Sequence, residues 1–175
     1  MITALYIIGG LVALILLLGM IAPKNYNVFR TIEINRSKTD VFKYVKLIKN
    51  QEVWSPWAKK DPDMKRKYTG TDGEPGFVSY WNGNKVVGEG EQEIKKIIGT
   101  DRIEGELRFL KPFKSTSDCY FDVDELAADK TKVTWGFSGK NAFPINIMML
   151  FMNMDKSVGG DFEEGLSDLK KELEK

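Results

Sequence analysis

From Met1 to Ala22 the chain carries no charged residue, and Ile, Leu, Val, Ala and Gly recur on every helical face without a polar stripe. At about 1.5 Å per residue this run makes roughly 33 Å of helix, enough to cross a hydrocarbon core about 30 Å thick. A core helix of a globular domain would keep a polar face. A cleaved secretory signal would open on a basic region and close on a small-x-small site, whereas this run closes on Met20-Ile21-Ala22-Pro23. The pattern predicts a transmembrane anchor over residues 1–23, stopped by Pro23, and one domain over 24–175 that follows the short polar joint Asn25-Tyr26-Asn27. Lys24, Arg30, Arg36 and Lys38 lie just after the span, which places the domain on the cytoplasmic side.

Beyond the joint the period changes to two. Val28, Ile32 and Ile34 alternate with Phe29, Thr31 and Glu33, a half-buried strand whose apolar face Arg30 interrupts. Ser37 and Asp40 then form a capping-box pattern ahead of Val41, Tyr44, Val45 and Ile48 at helical spacing. Trp54-Ser55-Pro56-Trp57 reads as a turn or short helix whose indoles either plug the core or line the mouth of a pocket. Gly70 to Gly76 is a hairpin connection; no Lys-Ser/Thr follows it, as a phosphate-binding loop would require.

From Phe77 onward, strands follow one another, broken at Gly83-Asn84, Gly99-Thr100-Asp101, Lys111-Pro112 and Ala127-Ala128-Asp129. Ile103, Leu107 and Phe109 alternate with Glu104, Glu106 and Arg108, so these are antiparallel strands with one wet face. Gly88 and Gly90 mark a bend or the close approach of a large group, and Glu89, Glu91 and Glu93 share a solvated face with basic neighbours. Val158, Phe162, Leu166, Leu169 and Leu173 then fall on one stripe of a long C-terminal helix, in which Gly159-Gly160 permits a kink or close packing on the sheet. The segment ahead of it, Phe143 to Met154, holds four of the seven methionines; such a soft apolar run suits the gate of a cavity, ordinary core, or contact with a bilayer.

Composition narrows the chemistry. The 26 basic and 25 acidic residues nearly cancel, which argues against nucleic acid as a partner. The chain has no histidine, which removes Ser-His-Asp and Cys-His catalysis, and with a single cysteine, Cys119, a transition-metal site has few ligands to draw on. Asp61/Asp63 and Asp122/Asp124 read as a turn and a strand edge. No metal and no cofactor is expected.

The order of these elements and their motifs resembles the START-like, birch-pollen-allergen-like superfamily (SRPBCC), in its bacterial polyketide cyclase/dehydrase-type branch. The carriers are Phe29-Arg30-x-Ile32-x-Ile34-Asn35, Val41-Phe42-x-Tyr44-Val45, Trp54-Ser55-Pro56-Trp57-Ala58, Gly73-x-x-Gly76 with Tyr80-Trp81, Gly88-x-Gly90, Thr131-x-Val133-x-Trp135, and Asp161-Phe162-Glu163-x-Gly165-Leu166-x-x-Leu169-Lys170. The resemblance implies an α+β helix-grip fold, a curved antiparallel sheet wrapped around the C-terminal helix with an apolar cavity between them, here preceded by one transmembrane helix in a bacterial inner membrane. Family members bind lipids, sterols, polyketides or other hydrophobic molecules, and a minority are cyclases.

Three functions stay open on these grounds. The first is a membrane-anchored domain binding a lipid or other small hydrophobic molecule, with Trp57, Trp81, Phe109, Tyr120, Trp135, Phe143, Met149 and Met152 as wall and gate. The second is a cyclase/dehydrase-type enzyme acting on an apolar substrate, with Arg108, Tyr120 and Asp122 moving protons, although no recognisable catalytic motif is present. The third is a non-catalytic envelope or stress interaction protein with a collapsed cavity.

Overall fold

The computed structural model describes residues 2–175. Helix α1 (Ile2–Ile21) is exposed along most of its length, meets the domain at its last turn, and is long and apolar enough to cross a membrane. Strand β1 (Asn25–Ile34) follows within a few residues, and its burial alternates as the sequence predicts, with Val28 and Ile34 buried. Helix α2 (Lys38–Val45) is capped by Ser37, whose hydroxyl accepts from the Asp40 N–H at 3.2 Å. A 3-10 turn (Ile48–Asn50), α3 (Gln51–Trp54) and α4 (Pro56–Lys60) lead to β2 (Lys65–Thr69). The meander continues through β3 (Val78–Asn82), β4 (Glu89–Ile98), β5 (Arg102–Lys111), β6 (Ser115–Ala127) and β7 (Lys130–Lys140). A second 3-10 segment (Ile145–Leu150) precedes α5 (Met154–Leu173).

The seven strands form one antiparallel sheet in the order β1-β7-β6-β5-β4-β3-β2. β1 and β2 therefore occupy opposite edges, and the short helices α2 to α4 bridge them. Register shifts in β4 and β6 place extra residues on one strand, which bends the sheet toward α5. Helix α5 lies in the resulting trough and buries Phe162, Leu166 and Leu169, the middle of the stripe expected from the sequence. Trp135 is the hub of the core: it stacks on Phe162 at 4.4 Å and on Phe121 at 5.5 Å, and meets Trp54 edge-on at 5.0 Å.

The glycines and the charge that interrupt these patterns have local reasons. Arg30 sits on the helix-facing side of β1 and reaches α5, where it binds Asp155 at 2.7 Å and Glu163 at 2.5 Å. A side chain at Gly159 would occupy the space of the Arg30 guanidinium, so this glycine serves close packing rather than a kink. Gly90 has Trp81 and the Arg108 carbonyl within 2.5 and 2.6 Å of where a Cβ would stand, the close approach of a large group that the strand glycine suggested.

The outer face of the sheet is polar, and most of its carboxylates are paired. Arg108 spans Glu93 at 2.6 Å, Glu106 at 2.6 Å and Glu91 at 2.9 Å, while Arg102 holds Asp122 at 2.6 Å and Glu104 at 2.9 Å. Hydrogen bonding from Arg108, then from Lys95, holds the Glu93 carboxyl below its ordinary range. A carboxyl whose folded pKa is depressed contributes stability that is present above its unfolded value, about 4.5, and lost as pH falls through the folded value. Arg108→Met is therefore expected to lower the thermal midpoint most at neutral pH, where three glutamates are left facing one another. The difference from the wild type should shrink as pH drops below about 4.5 and the carboxylates protonate, which thermal unfolding across a pH series measures.

Candidate functional site

The inward-facing side chains of neighbouring strands fall into cross-strand rows. One row runs Tyr68, Ser79, Gln92, Leu107, and the next runs Arg66, Trp81, Gly90, Phe109. Glycine at position 90 leaves room above the sheet for the Trp81 ring, which meets Phe109 edge-on at 6.1 Å. Because α5 covers β1 and β7 more closely than β2 to β5, these rows are left without a helix directly on top of them.

What remains is a cavity of about 210 Å³ between the sheet, α3, α4 and α5. Its apolar wall includes Trp57, Trp81, Leu107, Phe109, Trp135 and Phe162. The polar wall is made by Gln51 and Glu52 of α3 with Arg66, Tyr68, Ser79 and Gln92 of the sheet. The Tyr68 hydroxyl donates to Glu52, and burial, followed by that carboxylate, pushes the phenol's ionisation far above its usual range. Arg66 lies 4.0 Å from the same Glu52. The Gln51 side-chain nitrogen is buried without a hydrogen-bond partner among the described residues, a donor free to meet an acceptor on a bound molecule. Cys119 also reaches the cavity; burial pushes its thiol up to about 12, which keeps it protonated and unreactive.

Of the residues proposed from sequence, the cavity brings together Trp57, Trp81, Phe109 and Trp135. The two indoles of the Trp-Ser-Pro-Trp motif divide their roles: Trp54 is 1% exposed and plugs the core, while Trp57 walls the cavity. Tyr120 does not reach the cavity. It shares the outer face of β6 with Asp118 and Asp122, where the Arg102 guanidinium stacks on its ring at 4.5 Å. The parity was present in the sequence, since the apolar positions of β6 are Cys119, Phe121 and Val123. Arg108 and Asp122, considered for proton transfer inside a cavity, stand on this outer face as well and are engaged in ion pairs.

Phe143, Met149 and Met152 lie elsewhere, in the segment between β7 and α5. Phe143 packs on Gly19 of α1, while Met149 and Met152 line an open groove beside Pro23, Tyr26 and Val28. The residues missed by sequence reasoning, Leu107, Gln92, Ser79, Arg66 and Tyr68, are assembled by strand register across four strands; single-strand alternation carries no signal for that.

No protein-family model matches the sequence, and no curated protein matches it. Solved structures do match. Truncated norcoclaurine synthase from Thalictrum flavum aligns with a TM-score of 0.65 at 8% identity, covering 89% of this chain and 98% of that one. The Aha1 dimer from Colwellia psychrerythraea aligns at 0.57 with 13% identity, covering 85% and 96%. Ara h 8.0201 aligns at 0.52 with 13% identity, covering 84% and 99%. At such identities the likeness speaks to fold alone, and it agrees with the motifs: behind its apolar N-terminal helix, the chain has the α+β helix-grip fold.

Proposed function

We propose that the chain is a single-pass membrane-tethered domain, residues 1–23 being the anchor and 24–175 the domain, that takes a small hydrophobic or amphipathic molecule such as a lipid chain into the space between sheet and helices. The observation that carries this reading is the cavity of about 210 Å³ walled by aromatic and aliphatic side chains along most of its surface and by a polar row at one side. Apolar burial at about 25 cal/mol per Å² supplies affinity, and the few polar groups fix orientation. The buried Gln51 donor and the nearby Arg66 favour a ligand with one hydrogen-bond-accepting end.

An enzymatic reading finds less support. The ionisable groups on the cavity wall are Glu52, Arg66, Tyr68 and Cys119. Glu52 and Tyr68 are hydrogen-bonded to each other, and both the phenol and the thiol are pushed away from neutral pH. Neither the phenol nor the thiol is therefore poised near neutral pH to act as a general base.

Native mass spectrometry of the full chain, compared with Leu107→Trp, tests the proposal. Leu107 lines the cavity, so a bulkier indole there fills the space without adding a charge. Lipid held around the anchor remains in both proteins. The expected result is one apolar molecule per chain retained by the wild type and lost by Leu107→Trp, with the thermal midpoint little changed. Equal lipid content in the two proteins defeats the proposal.

A further inference from the structure

Strand topology sends three loops and the end of α1 to one edge of the sheet. β1 begins there and β7 ends there, and so do the turn between β3 and β4 and the turn between β5 and β6. Among the described residues outside α1, the three most exposed large apolar side chains are Phe151 at 81%, Phe113 at 79% and Val86 at 75%, and each belongs to a different loop of this edge. Residues 141–154 add an uncharged run in which Phe143, Ile145 and Met148 are also exposed. Soluble surfaces scatter single apolar residues, but such a concentration at loop tips along one edge marks an interaction site.

The occupant is indicated by what emerges at the same edge. Asn146 is fully buried, and its side-chain amide donates to the Gly19 carbonyl at 2.8 Å and the Ala22 carbonyl at 3.4 Å, so the exposed segment is fastened to the last turn of α1. These carbonyls have no partner within the helix, and the amide replaces water there. Only Pro23 and Lys24 separate buried Ala22 from β1. Two or three residues span at most about 10 Å, comparable with the headgroup layer on one side of a bilayer. The edge is therefore held against whatever surface α1 leaves.

Charge agrees with a lipid surface. Lys24, Lys85, Lys114 and Lys140 flank the apolar tips and make no ion pair among the described residues, while Lys111 pairs with Glu89. The carboxylates of the same edge are fewer, and two are occupied: Asp61 accepts from the Asn84 N–H at 2.6 Å and Asp155 binds Arg30. The opposite edge exposes Ile98 and Leu126 less, at 38% and 46%, and its turns carry Asp72, Glu74, Asp101 and Asp129. Apolar tips with interspersed lysines suit the interface of a membrane with anionic headgroups, where the lysine stems lie along the acyl boundary and the ammonium groups reach phosphate.

We infer that this edge docks on the bilayer that α1 spans, inserting Val86, Phe113 and Phe151 and laying its lysines against anionic lipid. The inference rests on reading α1 as a membrane span. It fixes the tilt of the domain, and it holds Trp81, Val87 and Phe109, the end of the cavity wall nearest this edge, beside the lipid.

The test uses the full chain with Cys119→Ala and one introduced cysteine, Val86→Cys, Phe113→Cys, Leu14→Cys or Asp129→Cys, each carrying an environment-sensitive fluorophore. The proteins are reconstituted in phosphatidylcholine–phosphatidylglycerol vesicles with plain or brominated acyl chains. The β6–β7 turn bearing Asp129 stands about 40 Å up the strands from the docking edge, out of contact with the chains. Quenching at 86 and 113 is expected to be several-fold stronger than at 129, approaching that at 14, and to weaken when phosphatidylglycerol is omitted. Strong quenching at 14 with 86 and 113 no different from 129 overturns the docking and leaves the anchor standing. Absence of quenching at 14 overturns the anchor and the docking together. Undiminished quenching in pure phosphatidylcholine overturns the part assigned to the lysines.

Discussion

Trp135→Ala is expected to lower the thermal midpoint of the domain by about 10 °C, on the basis that truncating a buried Trp costs about 3–5 kcal/mol and that a chain of this size loses about 2–4 °C per kcal/mol. Trp135 is 6% exposed and touches the sheet, α3, α4 and α5 through one ring: it stacks on Phe121 and Phe162 and meets the edges of Trp54 and Trp57. No neighbouring side chain is placed to collapse into the space, because each of those rings is already fixed by another contact, as Phe162 is by Phe137. The vacated volume also joins the cavity, which Trp135 already walls. Val53→Ala, at a side chain 59% exposed, is the control, and its change should stay within about 0.5 kcal/mol. A Trp135 variant that melts with the control would show that the aromatic cluster is not what joins helix and sheet.

Gly165→Val and Gly160→Ala should move stability in opposite directions, although both exchange a glycine of the same helix for a residue with a Cβ. In general an Ala in a helix interior gains about 1 kcal/mol over Gly. At Gly160 nothing lies within 4 Å of an added Cβ, so Gly160→Ala is expected to realise that gain and raise the midpoint by roughly 2–4 °C. At Gly165 the Cβ would stand 2.7 Å from the Trp135 ring and 2.9 Å from the Pro56 ring. Neither ring can swing aside, since Trp135 is clamped by its aromatic neighbours and Pro56 by its own backbone. Overpacking of this kind costs about 1–3 kcal/mol or more and outweighs the smaller propensity gain of Val, so Gly165→Val is expected to lose about 3 kcal/mol and to push α5 away from α4. Thermal unfolding of the two variants side by side measures the sign directly. A stabilised Gly165→Val would mean that helix and sheet are farther apart than these distances state.

The elements themselves were legible in the sequence because each depends on local periodicity. The alternation Val28, Ile32, Ile34 made β1, Ser37 with Asp40 made the start of α2, and the stripe from Val158 to Leu173 made α5. Arg30 was legible only as an interruption. Its purpose required α5 to be laid across β1 so that Asp155 and Glu163, far away in sequence, converge on it. Gly159 belongs to the same arrangement, and its reason could not be read before the arginine was placed above it.

The candidate site was legible in part. Large aromatics recur in cores and in pockets for the same reason, their area, so size singles out Trp57, Trp81, Phe109 and Trp135, which line the cavity, without telling which surface of each ring faces space. Strand parity puts Tyr120, beside Asp118 and Asp122, on the wet face and not among the aromatics of the cavity. The methionine-rich segment is soft and apolar by composition, but composition does not carry a destination, and the structure fastens it to α1 through Asn146 rather than over the main cavity.

What the sequence by itself determined is therefore the set of parts: an uncharged span of bilayer length, a run of amphipathic strands, a striped helix, and chemistry without histidine. Each follows from interactions between residues near in sequence or from composition, where 3.6- and 2-residue periods are sufficient information. Only the tertiary structure decided how the parts face one another. Strand register chose which polar residues share the cavity with the tryptophans, sheet curvature against α5 left the cavity open, and topology gathered Val86, Phe113 and Phe151 beside the end of α1. Those juxtapositions bring together residues as remote in sequence as Ala22 and Phe151, and they are set by packing of the whole core, which no local pattern encodes.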